Sequence, residues 1–89
     1  MKINTIHIFS KPISYYQFDT INVFFGDNDV LLLIGDACYS PVEYSQSNRP
    51  IYALKNCLQA RSVTAPNINI VDDQQWVELI NEAQKSITW

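Results

Sequence analysis

The five consecutive residues Val30-Leu31-Leu32-Leu33-Ile34 constrain this chain more than any other stretch. Successive side chains of a strand point to opposite faces, so a strand with one wet face carries polar residues at every second position. None occurs here, and the run reads as a strand of a parallel sheet covered on both sides. It is far too short to cross a bilayer, which takes about 20 apolar residues. Parallel strands need crossover connections, and the flanking sequence supplies them. Residues 3–9 (INTIHIF) predict a first strand, stopped by Lys11-Pro12. Ser14 with Gln17 has capping-box spacing. Phe18, Ile21 and Phe25, at i, i+3 and i+7, then predict a helix over about 15–25 that ends at Gly26.

Residues 35–50 fit either a short helix or a long loop. Residues 51–54 predict a third strand, and Asn56 is a candidate N-cap for a short helix through Leu58, Ala60 and Arg61. Thr64-Ala65-Pro66-Asn67 reads as a turn, and 68–71 as a fourth strand. Asp72-Asp73 open the last helix, with Trp76, Leu79, Ile80 and Ala83 on one stripe and Lys85 at its C-terminal dipole end. Residues 87–89 fit an edge strand or a docked tail. This alternation is that of an α/β domain. The expected fold is one domain over 1–89, a small three-layer α/β/α sandwich with a mostly parallel sheet. Right-handed crossovers would place helices on both of its faces.

Eighty-nine residues leave no room for a second domain. At 47% hydrophobic and 12% aromatic, the chain is too apolar for disorder. Charged residues make up 17%, against roughly 25% in a typical soluble domain. A domain this short buries only roughly 60–65% of its unfolded surface, so much uncharged surface is left over. The expectation is that part of it faces other protein chains. Net charge is −3 and the six Lys and Arg are scattered, so direct tight nucleic-acid binding is not expected. The first residues lack the apolar stretch and cleavage site of a signal peptide, which points to a cytoplasmic protein without a membrane segment.

In open α/β sheets, chemistry gathers beyond the carboxyl ends of the strands. Those ends are Ser10-Lys11-Pro12, Gly35-Asp36-Ala37-Cys38, Lys55-Asn56-Cys57 and Asp72-Asp73. Both cysteines fall in this layer. Cys57 sits in the first turn of a helix near Lys55, a setting that favours a thiolate, and is the candidate persulfide thiol. The competing reading is a small, partly buried filler. Cys38 is the weaker candidate, because neighbouring Asp36 opposes its ionisation. Two cysteines without CxxC spacing and one histidine cannot supply a four-ligand metal site, so neither metal nor cofactor is expected. In a reducing cytosol both thiols should be free. His7, between Ile6 and Ile8 in a strand, reads as a hydrogen-bonded structural residue, and no nucleophile can be paired with it. Two glycines cannot form a dinucleotide or phosphate loop. Asp72-Asp73 are explained by a helix start, and Asp36 either caps the next segment or meets a partner. The residues alone assemble no catalytic centre.

Several segments in order do carry a resemblance: DVLLLIGDACYS, then IYALKNCLQARSV, then NINIVDDQQWVELINEAQKSITW. Leucines ending in Asp36, a Tyr-Ala-Leu strand leading to Leu58 and Ala60-Arg61, the polar helix start before Trp76-Val77, and Trp89 together resemble the TusB/DsrH family. The resemblance implies a DsrE/F-like fold and a place in sulfur relay. There, a heterohexamer of three related subunits passes persulfide sulfur onward. In the Tus version it ends as the 2-thio group of the tRNA wobble uridine, and in the Dsr version it serves dissimilatory sulfur oxidation. The implied partners are TusC-like and TusD-like subunits, the latter bearing the reactive cysteine. That cysteine aligns near apolar Leu54, with Cys57 about one helical turn beyond. The cysteine that DsrH members can carry around Gln17 to Thr20 is missing, and Ser62 stands where relatives commonly have Gly. The implied role is a non-catalytic Tus-type subunit. The alternatives are a relay subunit using Cys57 and a stand-alone module, homo-oligomeric when purified alone.

Overall fold

The computed structural model describes residues 3–44, 49–63 and 68–89. Five strands, β1 (Ile3–Phe9), β2 (Val30–Leu33), β3 (Ile51–Leu54), β4 (Asn69–Val71) and β5 (Ala83–Thr88), form one sheet in the order β4-β3-β2-β1-β5. All four pairings are parallel, with Ile6 opposite Val30, Leu31 opposite Ile51, Ala53 opposite Ile70 and Ile3 opposite Ala83.

The order of the strands dictates where the helices lie. From β1 to β4 the chain steps in one direction, so right-handed connections keep α1 (Phe18–Asn22), α2 (Pro41–Tyr44) and α3 (Lys55–Ala60) on one face. The return from β4 to β5, beyond β1, carries α4 (Asp73–Glu82) over the other face. Two apolar clusters result. Phe9, Leu31, Leu33 and Ala53 meet Ile21, Phe25, Tyr44 and Leu58. Ile6, Ile8, Val30, Leu32, Leu54 and Val71 meet Leu79, with Trp76 and Ile80 alongside. The central run thus feeds alternate residues to opposite layers, and all four of its strand residues are buried. Each such Leu or Val contributes about 1.5–3 kcal/mol relative to exposure.

The expected helix over 15–25 is instead two pieces, a 3-10 turn at Ile13–Tyr15 and α1, and no Ser14 cap forms. Tyr16 between them is extended. Its hydroxyl accepts from Ser10 N–H at 3.3 Å and donates to Trp89 O at 3.2 Å, while its ring packs edge-on against Phe9. That tertiary anchoring overrides the helical spacing. Left-handed backbone in the following turn falls on Asn28 (φ 65°), not Gly26. Residues 35–50 hold a 3-10 segment, Gly35–Tyr39, and then α2, which begins on Pro41 where a missing N–H does no harm. α3 follows β3 without a linker; Leu54, not Asn56, holds its N-cap position, and no side chain caps it. The expected turn at 64–67 lies outside the described residues, and β4 begins one residue later than expected.

The start of α4 is as expected. Asp72 accepts from Gln75 N–H at 2.7 Å, and Gln75 accepts from Asp72 N–H at 3.0 Å, a complete capping box. Its end is not as expected. The helix stops at Glu82, Ala83 turns extended, and the chain enters β5 directly. Lys85 therefore lies opposite Thr5 in the sheet and is no helix-terminal cation. The apolar stripe from Trp76 continues past the end of the helix because the β1 edge claims Ala83. No helix among the described residues is long and apolar enough to cross a membrane.

Candidate functional site

An all-parallel sheet brings every strand's carboxyl end to one edge, and both cysteines lie there between β2 and β3. Gly35, directly after β2, has φ +52°, and a Cβ on it would meet Ser10 O at 3.4 Å. Asp36 N–H donates to the same Ser10 carbonyl at 3.1 Å, pinning the turn to the end of β1. So held, Gly35 N–H donates to Cys57 Sγ at 3.3 Å. Cys57, the third residue of α3, is half-buried.

Cys38 stands behind it, fully buried, its thiol donating to Leu33 O at 3.5 Å. Cys57 packs against the apolar cluster that contains Cys38. Burial, and then the Cys57 thiol, push Cys38 up to about 12, against a lowering pull from Arg61. Cys38 therefore keeps its proton at neutral pH. Asp36, suspected from sequence of opposing Cys38, is turned away into an ion pair.

The cation of this cluster is Arg61. Its Nε and Nη2 donate to Asp36 Oδ1 at 3.2 and 2.9 Å, and Nη1 donates to Cys57 O at 3.1 Å. Its guanidinium lies over the Tyr39 ring at 5.4 Å, and the Asp36 hydrogen bonds hold it above its ordinary pKa. Asp36 is half exposed, so the pair itself adds little to stability. The pair holds Arg61 in place beside the Cys57 backbone. Lys55 is the neighbouring cation expected from the sequence, whereas the structure places Arg61 there. The available signal was spacing, since Cys57 and Arg61 stand at i and i+4 of one helical path. Asp36 neither caps the 3-10 segment nor stands free; it is held within the chain.

The remaining candidates lie elsewhere. Asp72 and Asp73 only start α4. His7 is buried, and the Trp89 indole N–H donates to its Nδ1 at 3.1 Å. Indole only donates, so Nδ1 is unprotonated and Nε2–H donates to Asp29 Oδ2 at 2.9 Å. Gly26 N–H also donates to Asp29 Oδ2, at 2.8 Å. These partners satisfy the ring. Beside it an open pocket of about 370 Å³ is lined by Thr5, His7, Asp27, Asp29 and Lys85. Neither thiol borders that pocket. Among the described residues no three His, Cys, Asp or Glu converge as metal ligands.

Comparison with known proteins adds three findings. The family described as DsrH like protein matches residues 11–86. No curated protein matches the chain. The crystal structure of the YchN protein from E. coli is similar over 100% of both chains, with a TM-score of 0.72 and 18% identity, a likeness of fold.

Proposed function

The chain belongs to the DsrH-like protein family, and from that premise we propose that it is a non-catalytic subunit of a cytoplasmic sulfur-relay complex. In this reading it assembles with TusC-like and TusD-like subunits, the TusD-like one carries the persulfide, and the sulfur ends in the 2-thio group of the tRNA wobble uridine. The family match over residues 11–86 carries the proposal. Surface chemistry supports a partner-bound role: Tyr15, Val23, Phe24, Tyr39, Val42, Ile70 and Val77 are each about half exposed or more. Surface apolar residues in such number on a chain with 17% charge suit an interface. Two measurements test it. Co-expression with the two partner types should yield a stable complex, and a strain lacking the gene should lose 2-thiouridine from its tRNA. A chain that never co-purifies with them, or unchanged thiouridine, overturns it.

One observation favours a second reading. The half-exposed Cys57 Sγ accepts from Gly35 N–H, and Arg61 is anchored on the Cys57 carbonyl, so the thiol has polar neighbours at the strand ends. Cys57 would then carry persulfide itself. Incubation with a sulfur donor followed by persulfide-specific labelling decides between the two. Labelled Cys57 and failed transfer by Cys57→Ser establish the second; an unlabelled Cys57 with unimpaired transfer by the variant leaves the first.

A further inference from the structure

We propose that the open pocket beside His7 binds the zwitterion of a small α-amino acid with an apolar side chain, its ammonium on Asp29 and its carboxylate on Lys85. This goes beyond the sulfur-relay reading and does not rest on it. The pocket lies toward the amino ends of the strands, whereas both cysteines stand at the carboxyl ends.

The parallel register builds the floor of the site. Thr5 stands opposite Lys85 and His7 opposite Ile87, so these four side chains share one face of the sheet. The turn between α1 and β2 supplies the wall, with Phe24, Asp27 and Asp29. Asn4 Nδ2 donates to Asp27 O at 2.9 Å and ties that turn to β1. The enclosed space of about 370 Å³ falls within the roughly 300–1,000 Å³ of small-molecule sites.

Two buried polar groups line this space with bonding capacity to spare. Asp29 is only 5% exposed. His7 Nε2 and Gly26 N both donate to its Oδ2, and among the described residues nothing donates to Oδ1. His7 is neutral, because its Nδ1 accepts from the Trp89 indole, so neither donor brings a positive charge. Arg49 is engaged by the carbonyls of Phe25 and Gly26. A carboxylate buried this far is costly until a cation meets it, and an ammonium in the pocket supplies one. Thr5 is only 4% exposed, and among the described residues its hydroxyl makes no hydrogen bond. It stands beside Lys85, which is exposed and has no ion-pair partner among the described residues. Hydroxyl and ammonium together suit a carboxylate. Two strand residues, about 6.6 Å, separate the Thr5–Lys85 row from the His7–Ile87 row, a span suited to a molecule carrying both charges on one carbon. Phe24, 67% exposed, and Ile87 offer apolar surface for its side chain. Dianions such as phosphate are disfavoured, since Asp27 and Asp29 outnumber Lys85.

The test titrates the folded full chain, labelled with nitrogen-15, with L-leucine while amide shifts are followed by NMR. Saturable shifts should centre on Thr5, His7, Asp29 and Lys85 and spare Cys38 and Cys57. Isoamylamine, which lacks the carboxylate of leucine, and 4-methylpentanoate, which lacks its ammonium, should each bind about tenfold more weakly or worse. Lys85→Met, at an exposed position, should weaken leucine about tenfold and leave isoamylamine unchanged. Thr5→Val, which keeps the shape and removes the hydroxyl, should weaken leucine and 4-methylpentanoate alike. Absence of saturable shifts up to the solubility limit of leucine overturns the proposal. So does 4-methylpentanoate binding as tightly as leucine, or a Lys85→Met protein with wild-type affinity for leucine. The comparison of the three ligands on the wild type decides alone if a variant fails to fold.

Discussion

Cys38 couples the chemistry of the site to the stability of the chain. Burial raises its pKa from the ordinary 9.0 to about 12 in the fold. An unfolded chain loses this proton above pH 9 while the folded one keeps it, so folding holds the extra proton there. The associated stability is fully present below pH 9 and is lost progressively as pH rises toward 12. Cys38→Ala should flatten this decline. Urea midpoints under reducing conditions at pH 8 and 10 check it: the wild type should fall more than the variant. Tyr44, whose phenol burial also raises, adds its own loss above pH 10 in both proteins. A second residue-scale prediction concerns Asp29, which accepts from buried His7 and from Gly26 N–H. Asp29→Ala leaves both donors unpaired and should lower unfolding free energy by about 1.5–3 kcal/mol in urea titrations. Asp29→Asn keeps an acceptor and should lose less. The structural role of His7 was legible from its place between Ile6 and Ile8. Its partners were not, because Asp29 and Trp89 stand 22 and 82 residues away and only the fold brings them together.

Among the elements, α4 shows local sequence and structure in agreement. The Asp72–Gln75 capping box satisfies donors that would otherwise be orphaned at the helix start. Asp72→Ala should cost about 0.5–2 kcal/mol, read as a shift in urea midpoint at unchanged slope. α1 shows the opposite case. The spacing of Phe18, Ile21 and Phe25 was real, and Ile21 and Phe25 do enter the core. The helical conformation before Phe18 was not, because Tyr16 gains more from Ser10, Phe9 and Trp89 than from another helical turn. Elements whose order is set by packing on both faces, such as β2 and β3, were legible from composition alone. Boundaries where a tertiary partner competes, at Tyr16 and Ala83, were not. The thiol site divides the same way. Both cysteines could be placed at the strand ends, but their surroundings depend on how α3 meets the 3-10 segment.

For the whole molecule, the shortage of charge predicted surface given over to protein partners, and large apolar side chains do stand exposed around the fold. An assembly built on such contacts should resist salt. Ionic attraction between exposed groups is screened within about 3 Å at 1 M salt, whereas apolar association is not weakened by it. The proposed complex with TusC-like and TusD-like subunits should therefore keep its sedimentation coefficient in 1 M sodium chloride. Dissociation there would assign its cohesion to charge pairs instead. The sheet order has a further effect, on timing. β1 is the first strand made but lies inside the sheet, and its second edge is filled only by β5, with contacts such as that of Trp89 and His7 spanning 82 residues. At about 5–20 residues per second, a ribosome takes roughly 4–16 s to deliver that last strand. Throughout that interval one edge of a strand that the finished fold buries almost completely stays unpaired, open to pairing with another nascent chain. Protection of the β1 edge thus depends on how quickly β5 emerges, or on a companion that shields that edge until it does.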